Sequence, residues 1–172
     1  YEAKELATAL ELYTEGSLNI FAHRTNVEIK NRFTVFDTKE VGDNLKALAS
    51  QVMLNYIWNR LIENHEKGKW TWLYIDEMHL LLKIEKSAEF LTAFYKRTRK
   101  YNGIPTGITQ NISDFETSDA GKIIANSNLV VMLSQSPLDL KALTNLFNLS
   151  EPQVKKLEKV KVGSCLIRIN GE

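Results

Sequence analysis

Asp76 and Glu77 are adjacent carboxylates at the end of an apolar run, Trp72-Leu73-Tyr74-Ile75, and Met78-His79-Leu80-Leu81-Leu82 follows them. Four residues of high strand propensity without polar alternation read as a strand buried on both faces, as in a parallel sheet under helices. Such a sheet binds its ligand beyond the carboxyl ends of its strands, which is where the two acids stand. A carboxylate at the edge of a buried strand is costly unless a cation or a polarised water meets it. The pair therefore reads as a metal ligand beside a group that handles water. The plainer reading is that one of the two acids caps the next helix.

Thr109-Gln110 ends a second candidate strand. Polar tips on separate strands of one sheet can converge on a ligand at that edge; alone, Gln110 is simply a polar residue opening a loop. The densest basic run is Lys96-Arg97-Thr98-Arg99-Lys100. Most such runs are solvated helix faces. This one could instead contact nucleic-acid phosphates. It could also offer Arg97 or Arg99 as a finger, because a planar guanidinium matches the γ-phosphate oxygens of a nucleotide held by a neighbouring subunit.

Strand followed by Asp-Glu is the Walker B pattern of P-loop NTPases, where the Asp holds Mg²⁺ at the β/γ-phosphates. An adjacent Glu can orient or deprotonate the attacking water, and a Gln can contact the γ-phosphate. Asp76, Glu77 and Gln110 form that candidate set. A Walker A loop requires G-x-x-x-x-G-K-[ST], to wrap backbone N–H groups around phosphates. None of the eight glycines begins one, since Gly68-Lys69 and Gly121-Lys122 are followed by Trp70 and Ile123. The phosphate loop is expected before Tyr1, and the 172-residue chain alone is expected to lack appreciable ATPase activity. His23, His65 and His79 are scattered without metal spacing, so no zinc site is expected. Cys165 lies in an apolar stretch and reads as inert core.

The elements that must position these groups follow from periodicity. Residues 1–14 form a helix with Leu6, Leu10 and Tyr13 on one stripe, broken by Gly16-Ser17. Short strands and turns follow, with Leu18, Ile20, Phe21, Val27 and Ile29, and Phe33 to Phe36 is the first full strand, ending at Asp37, which reads as a turn or cap residue. Asp43 is the expected N-cap of a helix over 44–64, with Leu45, Leu48, Val52, Tyr56, Ile57 and Leu61 on its stripe. Phe36 to Ile75 is then a βαβ unit. Ser87 is expected to cap a helix over 88–101 that gathers Phe90, Leu91, Phe94, Tyr95, Thr98 and Tyr101 on one side. Arg97 borders that side, and Lys96, Arg99 and Lys100 face away. Asn102-Gly103 ends the helix. Further strands are expected at 104–109, 129–133 and 165–169, and helices at 118–125, from Pro137, and from the Ser150-Glu151-Pro152-Gln153 capping box to Leu157. The alternation argues for a three-layer α/β fold with a mainly parallel sheet.

Composition adds bounds. The chain is long enough for one domain with a sizeable core. A net charge of +1 gives no whole-chain argument for nucleic acid or membrane. One cysteine excludes an intramolecular disulfide, and no apolar run approaches the roughly 20 residues of a bilayer span. The chain opens inside a helix-like pattern and stops at Asn170-Gly171-Glu172, a hairpin turn signal. It reads as a fragment of a longer protein.

Several motifs then occur in order: Gly16-Ser17-Leu18, Phe21, Thr25-Asn26-Val27, Phe33 to Asp37, Ile57-Trp58-Asn59-Arg60, and Tyr74-Ile75-Asp76-Glu77 with Leu80-Leu81. They continue as Arg97-x-Arg99-Lys100-Tyr101, Thr109-Gln110-Asn111 with Asp114-Phe115, Asn126-Ser127 and Leu149-Ser150-Glu151. On these residues the chain resembles the C-terminal part of the VirB/TraE-type conjugation ATPases, motors of type IV secretion and conjugative transposons. The resemblance implies that residues 1–172 are the C-terminal portion of a RecA-like ATPase domain whose Walker A part lies upstream. It implies ATP and Mg²⁺ as cofactors, with Asp76 on Mg²⁺, Glu77 on the water, Gln110 sensing the γ-phosphate, and Arg97 or Arg99 as a finger in trans. It further implies ring hexamers at the cytoplasmic face of a bacterial membrane, with other secretion-channel subunits, and DNA as an open further partner. The rival reading is a non-catalytic partner- or nucleic-acid-binding module that uses residues 96–100.

Overall fold

A computed structural model of the chain describes residues 2–16, 18–26, 28–110, 112–115 and 118–170. The expectations placed on Tyr1, Ser17, Val27, Asn111 and Gly171-Glu172 lie outside the described residues. The chain divides into two units, Tyr1–Ala49 and Ser50–Glu172.

In the first unit, helix α1 spans Glu2–Thr14 and a 3₁₀ turn spans Asn19–Phe21. Leu6 and Leu10 are exposed on α1. The strand expected at Phe33 to Phe36 does not form, and with it goes the first strand of the expected βαβ unit. No strand occurs before Thr71 among the described residues. A strand is held by a neighbour's N–H and C=O groups, and this run has no ladder partner there. Phe33 and Val35 stay 82% and 72% exposed. Asp37 is a turn residue, as read: its Oδ1 accepts the Lys39 N–H at 2.9 Å.

Helix α2 spans Asp43–Glu66. Asp43 lies inside its first turn, paired with Lys46 at 2.6 Å, rather than at the N-cap. In the second unit its buried line runs through Ser50, Leu54 and Leu61, while Val52 of the expected stripe is exposed. The remaining elements are β1 (Thr71–Ile75), α3 (Met78–Leu82), α4 (Glu85–Arg97), β2 (Gly103–Gly107), α5 (Ser118–Ala125), β3 (Leu129–Met132), α6 (Pro137–Phe147), α7 (Glu151–Glu158) and β4 (Leu166–Ile169). Strands β1 and β2 pair in parallel, Thr71 opposite Gly103 and Ile75 opposite Gly107. Strands β3 and β4 pair antiparallel.

The strands are not buried on both faces. Trp72 and Tyr74 are 59% and 62% exposed, while Leu73 and Ile75 turn to the core. Leu129 and Val131 are likewise exposed on β3. Within the second unit an unbroken apolar run thus shows alternating burial. The core beneath β1 joins Leu54, Ile75, Met78, Leu91, Tyr95, Phe115 and Ile123. A second cluster joins Met132, Leu140, Leu143, Phe147 and Leu157. Trp58 packs edge-on against Phe94 and Tyr101 at 5.7 and 5.3 Å, which seats α2 on α4. Gly107 is required where α3 and α4 press on β2. A Cβ there would meet Met78 Sδ at 2.5 Å and Tyr95 Oη at 2.8 Å.

Helix α4 starts earlier than expected. Ile84 holds the N-cap position, and Ser87 sits inside the helix, fully buried, with its Oγ lacking a hydrogen-bond partner among the described residues. An acid in the first turn, Glu85, suits the helix dipole and lets the helix begin there. At the far end a 3₁₀ turn, Thr98–Tyr101, closes on Asn102 in the left-handed conformation. The side expected to be apolar is so: Leu91, Phe94, Tyr95 and Thr98 are buried. Helix α7 opens as read, with Gln153 Oε1 accepting from the Ser150 N–H and Oγ, each at 2.8 Å. Cys165 precedes β4 and is half-buried rather than core.

Candidate active site

Parallel pairing sends Asp76-Glu77 and Ile108-Thr109-Gln110 out of the same end of the β1–β2 ladder. The pairing continues past the strands. Ile108 N–H donates to the Ile75 carbonyl at 2.8 Å, and Met78 N–H donates to the Ile108 carbonyl at 2.9 Å. Those two bonds set the register of the tips. As a result Gln110 Nε2 donates to Glu77 Oε1 at 2.7 Å. A carboxylate only accepts, so the amide nitrogen is the atom that must face it. Asp76 Oδ1 accepts the Glu77 N–H at 3.0 Å. Asp76 and Gln110 are exposed and Glu77 is half-buried.

Glu77 is held in the left-handed region, φ 47° and ψ 44°. For a residue with a Cβ this costs about 1–2 kcal/mol, and such strain gathers at functional sites. Glu77 occupies the N-cap position of α3, yet its side chain makes no capping bond. It turns back over β2 instead. His79, almost fully buried, brings Nδ1 to 3.2 Å from Glu77 Oε2 and to 3.5 Å from Thr109 Oγ1. Glu77 Oε2 is itself buried; its contact with His79 has an ion-pair distance without full hydrogen-bond geometry. By its spacing in the sequence His79 is only a histidine without a zinc partner, and this contact is not legible there. Its one signal is the place two residues beyond Glu77, on the opening turn of α3.

The basic run lies elsewhere. Arg97 ends α4 and Arg99 sits in the 3₁₀ turn, both exposed. They lead into Gly103, the start of β2, whereas the acids follow the end of β1. A five-residue strand spans about 16 Å at roughly 3.3 Å per residue. The fold therefore joins Asp76, Glu77 and Gln110, and within one chain it does not bring Arg97 or Arg99 to them. No ion pair among the described residues involves residues 96–100.

Residues 2–162 match the pattern of the TraG P-loop domain. The chain belongs to the TraG P-loop domain family. Among solved structures it is similar to VirB4 of Thermoanaerobacter pseudethanolicus, at 30% identity and a TM-score of 0.81, over 98% of this chain and 47% of that one. The chain thus spans about half the length of the VirB4 chain it matches. No curated protein matches it. The α/β architecture is that of a partial RecA-like domain. No described helix is long and apolar enough to cross a membrane.

A TraG P-loop domain implies a nucleotide and Mg²⁺. No group of three or more His, Cys, Asp or Glu that could cage a metal exists among the described residues. Mg²⁺ keeps waters and takes one or two carboxylates together with substrate phosphates. Exposed Asp76, a hard oxygen donor at the strand end, suits such a site, with Glu77 beside it.

Proposed function

We propose that this TraG P-loop domain chain is the Walker-B-bearing part of an ATP-hydrolysing motor of a conjugation or type IV secretion system. The observation that carries the reading is the 2.7 Å bond from Gln110 Nε2 to Glu77 Oε1, which joins the tips of adjacent parallel strands beside Asp76. Bound Mg²⁺–ATP supplies an electrophilic γ-phosphoryl group whose charge the metal neutralises. Asp76 offers the carboxylate that ligates the metal. Glu77 orients the attacking water and takes its proton, because its strained backbone aims the carboxylate along the sheet edge rather than at the helix. Gln110 can exchange its bond to Glu77 for one to a phosphate oxygen, and so reports nucleotide state to the base. Arg97 or Arg99 acts on the nucleotide of a neighbouring subunit in a ring, at the cytoplasmic face of a secretion channel. A second reading, phosphate contact with DNA, rests on the exposure of Lys96, Arg97, Arg99 and Lys100.

Glu77→Gln in the full-length protein tests the reading. Nucleotide affinity is expected to stay within a few-fold while turnover falls about 10²–10⁴-fold, the usual worth of general-base catalysis. Turnover near the wild-type rate in Glu77→Gln would remove Glu77 from the chemistry.

A further inference from the structure

We infer that His79 is a positioning residue for Glu77: its Nδ1–H holds Glu77 Oε2, so that Oε1 alone is left to Gln110 or to water. The inference rests on the proposed role of Glu77 as the base. It starts from a mismatch. Glu77 is half-buried, yet its Oε2 is fully shielded and has no bond of full hydrogen-bond geometry among the described residues. A buried carboxylate oxygen with no donor is costly, and among the described residues His79 Nδ1 stands 3.2 Å from it.

The tautomer follows from what faces that nitrogen. Glu77 Oε2 only accepts, whereas the Thr109 hydroxyl, 3.5 Å away, can accept or donate and so leaves the choice to Glu77. With the proton on Nδ1 both contacts are attractive. With it on Nε2, a lone pair would be set against a carboxylate oxygen. The ring has little freedom to avoid the choice, because His79 is only 8% exposed. Thr109 comes from the loop after β2 and Glu77 from the turn after β1, so the ring also ties the two tips together. Gln110 donates to Oε1, and His79 Nδ1 lies at ion-pair distance from Oε2, so each restrains one half of the carboxylate. When Gln110 turns to another acceptor, Oε1 is freed without loss of aim, since Oε2 stays fixed.

The histidine chemistry gives a test that a packing role does not mimic. An Asn side-chain amide can place N–H where Nδ1 lies, whereas Gln reaches further and Leu offers no donor. In the full-length protein, His79→Leu is expected to lower kcat for ATP about 10–100-fold, the usual effect of losing an outer-shell orienting partner, with KM within about three-fold. His79→Asn is expected to recover most of that loss and His79→Gln little of it. In the Glu77→Gln background, His79→Leu is expected to add nothing. A crystal structure of nucleotide-free His79→Leu is expected to show the Glu77 carboxylate rotated off its wild-type position, while that of His79→Asn is not. If Glu77→Gln abolishes turnover but His79→Leu leaves kcat and the carboxylate where they were, the positioning role is wrong and the base assignment stands. If Glu77→Gln itself retains turnover, the base assignment fails first. Equal losses in the Leu and Asn variants would reduce His79 to packing and overturn the inference.

Discussion

At the scale of single residues, the site is a set of conflicts resolved locally. Glu77 takes a left-handed backbone although it has a Cβ, and its side chain faces Gln110 instead of capping α3. The strain belongs to the backbone, so it can be separated from the carboxylate by comparing two variants that both lack it. Glu77→Gly is expected to be more stable than Glu77→Ala by about 1 kcal/mol, because only glycine enters that region freely. Urea denaturation of the two proteins measures this; an alanine variant at least as stable as the glycine one would mean the left-handed turn is absent. Tyr95 carries the other resolved conflict. Its hydroxyl lies 3.7 Å from Met78 Sδ, and burial pushes its phenol up from the ordinary 10.0 to about 12. The folded state then keeps a proton that the unfolded chain gives up. Stability from this source is complete below pH 10 and is lost as pH rises from about 10 to about 12. Between pH 9 and 11 the loss amounts to about 1 kcal/mol, and Tyr95→Phe is expected to lack that component of the alkaline decline. An identical pH dependence in the phenylalanine variant would show that Tyr95 is not buried as described.

At the scale of elements, what the sequence revealed depended on whether a signal was local. The ladder tips were legible, because apolar strands ending in Asp76-Glu77 and Thr109-Gln110 are local patterns and parallel pairing brings like ends together. The apolar side of α4 and the Ser150 capping box were legible for the same reason. Pairing was less so. Phe33 to Phe36 has strand residues, but a strand needs a partner, and composition cannot announce one. Trp72 and Tyr74 looked buried because an unbroken apolar run is ambiguous about which of its faces is covered. His79 was missed because its meaning depends on a left-handed turn two residues earlier, which no propensity predicts for Glu. Ser87 failed differently: it has the chemistry of a cap, but α4 begins before it. The two placements predict opposite signs. If Ser87 capped the helix, Ser87→Ala would cost about 1 kcal/mol. Buried inside α4 with an unpaired hydroxyl, it is expected to gain up to about 1 kcal/mol on substitution by alanine. A melting temperature that rises in Ser87→Ala supports the described start of α4, and one that falls by several degrees contradicts it.

At the scale of the whole molecule, the distribution of charge matters more than its sum. Net charge is +1, yet the acids and the basic run are separated by the length of the β1–β2 ladder. Arg97 and Arg99 follow the apolar side of α4 to its end and point their charge outward, so they cannot serve Glu77 of their own chain. A guanidinium placed there can act on hydrolysis only across a contact between copies. That restriction makes the finger reading testable in a way that simple loss of activity is not. In full-length protein, Arg99→Ala, or Arg97→Ala if that residue is the finger, is expected to leave nucleotide affinity nearly intact and to lower kcat. Fingers of this kind are worth about 10³–10⁵ in rate, and a ring in which neighbours share the work can give less. The nucleic-acid reading predicts instead a salt-dependent loss of DNA affinity with ATPase unchanged, because phosphate contacts act through counterion release rather than at the nucleotide. Mixed rings separate the two. A subunit carrying Glu77→Gln still presents an intact Arg99, and a subunit carrying Arg99→Ala still has an intact base. Mixing the two inactive proteins places a working base opposite a working arginine at some interfaces, so part of the activity is expected to return in proportion to those interfaces. If no mixture regains turnover and Arg99→Ala weakens DNA binding instead, residues 96–100 serve nucleic acid and the finger reading is wrong.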